Sequence, residues 1–509
     1  MAESEQRGAE REAMAKVDTA WLRMESPTNL MMITGVMMFE KHLDLRRLRK
    51  LIRERFLAFR RFRQRAVDTQ TGAFWEDAEP DLDWHVQKVA LPAPAGQAEL
   101  EALASELAST ALDHERPLWH FLVVDRYQGG SALVVRIHHC YADGIALVQV
   151  LLSLTDTAPT SRKEHHLPRK WLKKDGRTVF DRLLAPARAG FDQAMQWGGK
   201  LVDFGGAVVR DPSLAKVVAT EGVHIARELA HVIALSDDPP TRYRAPLCEK
   251  KRVAWAEPMP LDEVKAIGRA YGCTVNDVLL AAAAGALRGC LRDWGDDPDG
   301  LTIRATVPVN LRPLEHAKKL GNHFGLVFLD LPIGEANPVS RLYRVAASMR
   351  ELKASRQAIV AYGLLGALGM GPLMLQRPAL ELFSRKATTV ATNVPGPQMP
   401  LYLAGVKVIE QMFWVPQSGS IGMGLSILSY NGRVHFGVIT DSRCVPEPRC
   451  IVERFRPELD KLVYVAMLED WEQPISAEHA ALWLDRLPPQ PPQQPRQRRR
   501  AHRNRAMSS

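Results

Sequence analysis

One short segment restricts the fold more than any other part of the chain, because an apolar strand, a polar turn and an apolar helix follow one another directly. Residues 131–137 (SALVVRI) have the length of a buried strand, and residues 145–154 (IALVQVLLSL) have that of an apolar helix. The seven residues between them, HHCYADG, leave room only for a tight turn. Asp143 suits a helix cap and Gly144 suits a close approach of the backbone. This order predicts a mixed α/β fold with polar groups where a strand passes into a helix.

The turn carries two imidazoles and one carboxylate. An imidazole titrates near neutral pH, so it can take a proton from an alcohol and return it to a leaving group. Adjacent residues of an extended segment point to opposite sides, so only one of the two histidines should face a given cavity. We therefore predict His139 as the general base. His138 and Asp143 would hold the turn, the carboxylate through an ion pair.

Other roles stay open for the same residues. A neighbouring pair of histidines is often ordinary structure. His138, His139 and Asp143 could together hold a metal ion, although no further cluster of ligands supports this. Cys140 could act as an acylated nucleophile, although only the neighbouring imidazoles could lower its pKa.

The length of 509 residues exceeds one ordinary domain, and 46% hydrophobic with 25% charged residues is a globular composition. Sequence character changes near residue 160 and again near residue 246. The predicted regions are an N-terminal domain (1–160), a crossover linker (161–245), a C-terminal domain (246–486) and a disordered tail (487–509).

The net charge of +9 is concentrated in the tail, which holds six arginines and no acidic residue and leaves +3 for the rest. A Gln/Pro-rich segment followed by arginines cannot bury apolar area, so we expect disorder there. Such a tail binds any polyanion, acidic lipid as well as nucleic acid. The tail therefore does not predict a nucleic-acid-binding protein.

The six cysteines contain no CxxC pair, which argues against a zinc site and against a dense disulfide framework. The first 18 residues are charged and lack an apolar core, so we expect no secretory signal. Both features favour a reducing, cytoplasmic setting.

Two segments bear on lipid binding. Residues 43–67 have the hydrophobic period of a helix, and residues 44–65 within them are basic. This pattern predicts either a surface helix with a solvated charged face or an amphipathic helix that binds anionic lipid. Residues 358–375 lack charges but contain four glycines and Pro372, which favours a buried or groove-lining helix over a membrane span. Gly363 and Gly366 would give that helix a smooth face for a long acyl chain.

Further motifs accompany the turn. They are Pro117-Leu118-Trp119, Asn276-Asp277, 308–313 (PVNLRP), Gly321-Asn322, 392–397 (TNVPGP) and the opening DTAWLRM at 18–24. Together with HHxxxDG, which ends at Gly144, this combination resembles the bacterial bifunctional wax ester synthase/acyl-CoA:diacylglycerol acyltransferases. These belong to the chloramphenicol acetyltransferase-like superfamily, and the resemblance covers roughly residues 15–480.

The resemblance implies two chloramphenicol acetyltransferase-like domains, each a mixed sheet with flanking helices. A long helical crossover would join them, with the active site at their interface. It also implies that His139 is the general base and that Asp143 is structural and pairs with an arginine of the second domain, for which Arg312 is the candidate.

The second domain would also supply the groups that bind the substrate. Asn276 would lie near the active site, with a helix cap as the alternative reading of this residue. Its amide, or the hydroxyl of Thr389 or Thr392, could donate to an oxyanion, and Asn393 belongs to the same TNVPGP loop.

The implied reaction moves a long-chain acyl group from acyl-CoA to a fatty alcohol or diacylglycerol, with no cofactor, metal or covalent enzyme intermediate. Rival readings are a condensation-type or polyketide-associated acyltransferase, and a catalytically silent lipid-surface protein. We expect peripheral attachment to the inner face of the cell membrane or to lipid droplets. The sequence predicts neither the main product nor the oligomeric state.

Overall fold

A computed structural model describes most of the chain. The described residues are 11–159, 234–311, 320–355, 357–358, 360–363, 373–469 and 475–486. Most of the predicted crossover, the Arg-rich tail and Arg312 therefore lie outside the described residues.

The described residues contain 17 strands. In chain order these are β1 (Arg11–Ala13), β2 (Met32–Phe39), β3 (Gln64–Thr69), β4 (Gly72–Asp77), β5 (Val86–Val89), β6 (Trp119–Tyr127), β7 (Gly130–His138), β8 (Thr155–Asp156), β9 (Lys251–Trp255), β10 (Met259–Pro260), β11 (Ile303–Asn310), β12 (Phe324–Leu331), β13 (Thr389–Pro395), β14 (Tyr402–Leu403), β15 (Val406–Trp414), β16 (Met423–Tyr430) and β17 (Arg433–Asp441).

These strands form two large sheets and one small sheet. The first sheet has the order β5-β6-β7-β2-β15-β14-β8, and the small sheet has the order β1-β4-β3. The second sheet has the order β10-β17-β16-β13-β11-β12, and β9 also pairs with β17. β5 runs parallel to β6, and β13 runs parallel to both β11 and β16, while the other pairs of the large sheets are antiparallel. Both large sheets are therefore mixed, which confirms the predicted α/β architecture.

The helices cover these sheets. In chain order they are α1 (Lys16–Arg23), α2 (Leu45–Leu51), α3 (Leu82–His85), α4 (Gln97–Ala108), α5 (Gly144–Leu154), α6 (Leu261–Ala270), α7 (Val275–Asp293), α8 (Pro338–Ala354), α9 (Leu373–Ser384), α10 (Arg449–Leu468) and α11 (Ala477–Leu484). The first half is the predicted N-terminal domain (1–160) and the second half is the predicted C-terminal domain (246–486). The core of the second half forms around α7, whose residues Val278–Leu291 are almost all buried.

Strand β7 separates two apolar layers of the first half. Ala132 and Val134 pack on the side of α4, whereas Leu133, Val135 and Ile137 pack on the opposite side with α5. This alternation follows from the two-residue period of a strand, and it fixes which side each residue of the following turn can reach.

A hairpin of the second half belongs to the first sheet. After β13, the chain leaves the second sheet, forms β14 and β15, and then returns to the second sheet as β16. Phe413 of β15 lies opposite Gly35 of β2, and Tyr402 of β14 lies opposite Asp156 of β8. The predicted range 246–486 thus contributes one hairpin to the sheet that carries the histidine motif.

The helix predicted over residues 43–67 is wrong in its second part. α2 ends at Leu51, a π-helical turn (Ile52–Phe56) and a 3-10 turn (Arg60–Arg63) follow, and β3 takes up the remainder. The strand forms because Gln64 and Ala66 are buried alternately with more exposed neighbours and because β4 supplies the backbone partners. The apolar side of the whole segment is buried in the first core, so only its charged side is exposed.

Among the described residues, no single helix has the length and apolar character needed to cross a membrane. The consecutive helices α6 and α7 satisfy that test only as a pair, with a bend of 97° between them. Cys290 of α7 and Cys450 of α10 form a disulfide, while the other four cysteines are free.

Candidate active site

The ring of His139 lies at the junction of the two halves. It stacks on Trp21 of α1 with 4.2 Å between ring centroids, and Phe324 of β12 lies at 5.6 Å. The residue is only 3% exposed, and its Nδ1 has no hydrogen-bond partner among the described residues. Burial lowers the pKa of His139 to about 4, against the opposing effect of the Asp143 carboxylate. The imidazole is therefore neutral at neutral pH and able to accept a proton.

The ring of His138 lies in a different environment. Its Nδ1 accepts a hydrogen bond from the Cys140 backbone N–H at 3.1 Å, so the neutral ring carries its proton on Nε2. That Nε2 lies 3.4 Å from Oε2 of Glu25, which also accepts a hydrogen bond from His114 at 2.8 Å. Although burial opposes it, hydrogen bonding from His114 and His138 lowers the pKa of Glu25 to about 2. The turn thus separates the two imidazoles, as the two-residue period of the strand predicted.

A three-residue strap from the second half, Gly321–His323, fastens the motif turn. The side-chain amide of Asn322 donates to the carbonyl oxygen of His139 at 2.8 Å and to Asp18 at 2.9 Å. The Asn322 backbone N–H donates to the same carboxylate oxygen at 3.0 Å. Gly321 has φ of +115°, a conformation that favours glycine, and its carbonyl accepts the Asp143 N–H.

The strap also joins the acidic groups on either side of the turn. Burial raises the pKa of Asp18 to about 6, although the hydrogen bonds from Asn322 oppose this shift. The Asp143 carboxylate caps α5 through the N–H of Ala146 at 2.8 Å, as predicted, and accepts the N–H of His323 at 3.0 Å. The predicted ion pair of Asp143 with Arg312 falls outside the described residues and stays a prediction.

An apolar cleft lies between the two large sheets, beside α5. Its cavity volume is about 50 Å³, and Gly144, the last residue of the motif, is one of its lining residues. Its lining comes from five strands, one helix and the residue that follows β15: Ile33, Gly35, Val135, Ile137, Gly144, Leu147, Val148, Leu151, Thr392, Val394, Phe413, Val415, Ile427 and Leu428. Val135 and Ile137 lie on one face of β7, and His139 is the first residue after the end of this strand. The imidazole itself does not line the cleft.

Helix α5 presents half-buried apolar residues to this cleft. Gly144, Val148 and Leu151 are half-buried and line the cleft with helical spacing, and Leu147, which also lines it, is buried. Ala146 and Val150, on the other side, are buried in the first core. Because Val148 and Leu151 are apolar and only half-buried, this side of α5 presents apolar surface to the cleft.

Strand β13 divides the predicted threonines between its two faces. Thr392 lines the cleft, and its hydroxyl lies 3.4 Å from both the Leu425 carbonyl and the Ser426 hydroxyl. Thr389 is fully buried and donates to the Met423 carbonyl at 3.1 Å, so its hydroxyl is used inside the second sheet. Of the two threonines, only Thr392 lines the cleft.

Asn276 and Asn393 meet each other. The Asn393 amide donates to Oδ1 of Asn276 at 2.7 Å, which joins the two motifs that carry them. Asn276 is not the helix cap, because the hydroxyl of Thr274 accepts the Asp277 N–H and caps α7. The helix therefore begins one residue before Asn276 and leaves this side chain free for its partner.

The remaining predicted residues lie elsewhere or serve the fold. Gly363 is exposed and does not line the cleft, and Gly366 lies outside the described residues. The indole N–H of Trp119 donates to the Phe62 carbonyl, which makes this motif residue part of the first core. Gly396, in contrast, lines the continuation of the cleft.

The alternatives based on a metal and on a thiol find little support. The described residues contain no group of three or more His, Cys, Asp or Glu side chains arranged to hold a metal ion. Cys140 is fully buried, and burial raises the pKa of its thiol well above the ordinary value. A buried, protonated thiol is a poor nucleophile.

Sequence reasoning missed Trp21, Glu25 and the role of Asn322. DTAWLRM and Gly-Asn were both visible as motifs, but neither showed that its side chains contact the histidine turn. Trp21 reaches His139 across more than 100 positions of the chain, which no local pattern reveals.

Comparison with known proteins gives a consistent result. The family model for the wax ester synthase/diacylglycerol acyltransferase catalytic domain matches residues 14–279, and that for the WS/DGAT C-terminal domain matches residues 320–463. A Mycobacterium bovis protein described as a diacylglycerol O-acyltransferase is 30% identical over 401 residues, which cover 77% of this chain and 77% of that protein.

Two solved structures share the fold. The wax ester synthase/diacylglycerol acyltransferase from Marinobacter aquaeolei VT8 aligns with a TM-score of 0.63 at 23% identity, over 89% of this chain and 100% of that chain. The starter condensation domain of rhizomide synthetase RzmA, solved as a variant with C8-CoA, aligns with a TM-score of 0.55 at 15% identity, over 91% of this chain and 96% of that chain. At these identities the likeness shows a common fold.

Proposed function

Because the chain belongs to the wax ester synthase/diacylglycerol acyltransferase family and is an acyltransferase, we propose that His139 is its general base. The acyl group passes from acyl-CoA to a fatty alcohol or a diacylglycerol. One observation carries the proposal: the buried ring of His139 directly follows β7, whose residues Val135 and Ile137 line an apolar cleft. A candidate proton acceptor therefore lies at the end of a strand that borders an apolar space.

The chemistry follows from these groups. The imidazole removes the hydroxyl proton of the acceptor while the hydroxyl oxygen attacks the thioester carbonyl carbon. The C–S bond then breaks, the sulfur leaves as CoA thiolate, and the imidazolium returns its proton to it. A thiol with a pKa of about 8.5 is a good leaving group, so this sequence needs no covalent enzyme intermediate.

The tetrahedral intermediate needs a hydrogen-bond donor for its oxyanion. We assign this role to the hydroxyl of Thr392, because it lines the cleft whereas Thr389 is occupied inside the sheet. Its present hydrogen bonds are long, at 3.4 Å, so the hydroxyl can turn to a substrate at small cost. Removing such a donor typically costs about 3 kcal/mol of transition-state stabilisation.

We place the acyl chain of the donor in the cleft. The carbonyl oxygen must meet the oxyanion donor, and Thr392 lines the cleft while His139 does not. The chain attached to that carbonyl therefore continues from Thr392 along α5. A condensation domain with the same fold was solved in complex with C8-CoA, which supports an acyl-CoA as the donor.

Two variants test the catalytic assignment. CoA release from a long-chain acyl-CoA, followed with a thiol reagent, is measured with hexadecanol and with a diacylglycerol as acceptor. His139→Ala should lose about 10²–10⁴-fold in rate, because general-base catalysis contributes that much, while Cys140→Ala should stay close to the unsubstituted protein. The reverse result would replace this mechanism with an acyl-cysteine route, and activity only with carrier-bound acyl groups would favour a condensation-type enzyme.

We further propose that the exposed basic side of α2 attaches the protein to anionic lipid surfaces. Arg46, Arg47 and Lys50 of α2 and Arg53 of the following turn are exposed, while Leu48 and Leu51 are buried, so the attraction is electrostatic. Co-sedimentation with phosphatidylserine vesicles should therefore decrease at high salt and in Arg46→Glu/Arg47→Glu. Binding that resists both changes would contradict the proposal.

A further inference from the structure

Three hydrogen bonds hold the backbone on both sides of the His139 ring. The His139 N–H donates to the Met31 carbonyl at 2.7 Å, and the His139 carbonyl accepts the Asn322 amide at 2.8 Å. The next N–H, that of Cys140, donates to Nδ1 of His138 at 3.1 Å. Because a peptide unit is planar, the His139 carbonyl and the Cys140 N–H move together. This peptide is therefore held at one end by the second half and at the other end by the ring of His138.

The hold that His138 exerts depends on which ring nitrogen carries its proton. A neutral imidazole has one donor nitrogen and one acceptor nitrogen. A proton on Nδ1 would place two donors opposite each other, and the hydrogen bond from Cys140 would be lost. The proton must therefore stay on Nε2, although the His138 side chain is completely buried and water cannot serve as the acceptor there.

Glu25 supplies the negative charge that faces this nitrogen. Its Oε2 lies 3.4 Å from Nε2 of His138, and Nε2 has no other hydrogen-bond partner in the part of the chain that the structure describes. At this distance the contact is mainly electrostatic, and it favours the proton on Nε2 because a carboxylate can only accept. His114 contacts the same oxygen at 2.8 Å and thereby anchors the carboxylate, whose side chain is only 13% exposed.

The segment that carries Glu25 contacts the proposed base from several directions. Glu25 lies in the loop between α1 and β2. Trp21, in the helix before the loop, stacks on the His139 ring, and Met31, at the end of the loop, accepts the His139 N–H. One short segment thus supplies an aromatic contact, a backbone acceptor and a charge to the same turn.

We propose that Glu25 is a positioning residue for the reaction, because its carboxylate fixes the tautomer of His138 and the His138 ring in turn holds the peptide that follows His139. This inference rests on the proposed function, since it takes His139 as the general base. Glu25 acts only through His138, and neither residue lines the cleft.

The first test replaces the charge and keeps the size of the side chain. In Glu25→Gln the amide can donate as well as accept, so the His138 ring can take either tautomer and the Cys140 N–H loses its fixed acceptor. In the assay of CoA release with hexadecanol, kcat should fall about tenfold or more, since a misplacement of about 1 Å costs about 10²-fold. KM for acyl-CoA should change little. If Glu25→Gln unfolds below the assay temperature, Glu25→Asp takes its place, because it draws the carboxylate back by one methylene group and should also lower kcat.

Glu76→Gln is the matched control. Glu76 is also a buried carboxylate of the first half with two cationic partners, Arg11 at 2.7 Å and Arg65 at 2.9 Å. Thermal unfolding should show a loss of stability in both variants, but only the Glu25 variant should lose kcat. An equal loss of kcat in the two variants, or an unchanged kcat in a folded Glu25 variant, would overturn the inference.

A second background tests whether Glu25 acts through His138. The side-chain oxygen of an asparagine can accept the N–H two residues further on, and it has no tautomer to fix. Adding Glu25→Gln to His138→Asn should therefore change kcat little, whereas the same loss of kcat in both backgrounds would reject the route through His138.

A double variant tests whether Glu25 and Asn322 act on the same peptide. Glu25→Gln/Asn322→Ala should lose less kcat than the product of the two single losses, because either change alone already releases that peptide. A loss equal to the product would contradict the inference. Near-normal turnover in His139→Ala would instead refute the proposed function, so the two failures are distinguishable.

Discussion

Replacing Asn322 by alanine should lower both kcat and the free energy of unfolding, because its side chain makes the hydrogen bonds that hold the motif turn. The side-chain amide makes two hydrogen bonds, at 2.8 Å to the His139 carbonyl and at 2.9 Å to Asp18. Both acceptors are buried, but Asp18 keeps the hydrogen bond from the Asn322 backbone N–H, so only the His139 carbonyl loses its donor completely. A buried polar group that loses its partner costs about 1–3 kcal/mol, and the free energy of unfolding should fall by about that amount.

The effect on catalysis should appear in kcat. Without the amide, the backbone of His139 is released on the side of the strap, while Trp21 still stacks on the ring. A misplacement of about 1 Å in a catalytic group costs about 10²-fold in rate. KM for acyl-CoA should change little, because Asn322 does not line the cleft. Steady-state kinetics below the unfolding temperature separate the two parameters.

Asn337→Ala is the matched control for this experiment. Asn337 also makes side-chain hydrogen bonds in two directions, since it caps α8 through the Val339 N–H and donates to the Ala477 carbonyl at 2.7 Å. It belongs to the second half and has no contact with the strap among its hydrogen bonds. Both variants should lose stability, but only Asn322→Ala should lose kcat. An equal loss of kcat in the two variants, or an unchanged kcat in Asn322→Ala, would refute the positioning role.

Three further outcomes follow from the same structure. Because burial lowers the pKa of His139 to about 4, the acid limb of kcat/KM should lie well below the ordinary histidine value of 6.5, and a limb near 6.5 in a pH–rate profile would contradict the buried base. Burial raises the pKa of Asp18 from 3.8 to about 6, so the folded state favours the protonated carboxyl group. The stability that this group contributes is therefore lost as the pH rises from about 4 to about 6, and the loss amounts to about 3 kcal/mol. Thermal unfolding of Asp18→Asn should therefore depend less on pH between these values than that of the unsubstituted protein, and parallel pH curves would reject this account. Cys450→Ser should destabilise the second half by about 2–4 kcal/mol, because the bond to Cys290 closes a loop of 160 residues, and unchanged denaturant unfolding would show that the cross-link contributes nothing.

The local part of the site could be predicted from the sequence because its causes are local. The apolar run before the motif forms β7, the run after it forms α5, and Asp143 caps the helix between them. The two-residue period of the strand was also sufficient to place His138 and His139 in different environments. Each of these features depends on residues only a few positions apart, where propensity and period are informative.

The strap and the hairpin exchange could not be predicted in this way. Asn322 binds the His139 carbonyl across 183 positions of the chain, and neither residue type nor spacing indicates that contact. The hairpin 402–414 has the alternation of an ordinary strand pair, which fits an edge of either sheet equally well. Long-range pairing alone decides that it joins β2, and with it that Phe413 faces the cleft.

The prediction for residues 43–67 failed for a related reason. Basic residues are good helix formers, and Leu48, Phe56 and Phe62 recur closely enough to resemble one apolar stripe. The burial of Gln64 and Ala66 against β4 then makes a strand more favourable than a continued helix. Tertiary pairing here outweighs intrinsic propensity, as is common for short segments.

The arrangement makes the site depend on the association of the two halves. The first half supplies the histidine turn and α5, whereas the second half supplies Asn322, Thr392 and Phe413. Because the strap holds the His139 backbone and the exchanged hairpin completes the cleft, the proposed base and the apolar cleft are both incomplete in either half alone. Separation of the halves would release the His139 backbone and open the cleft together, so the interface between the halves determines the geometry of the candidate site.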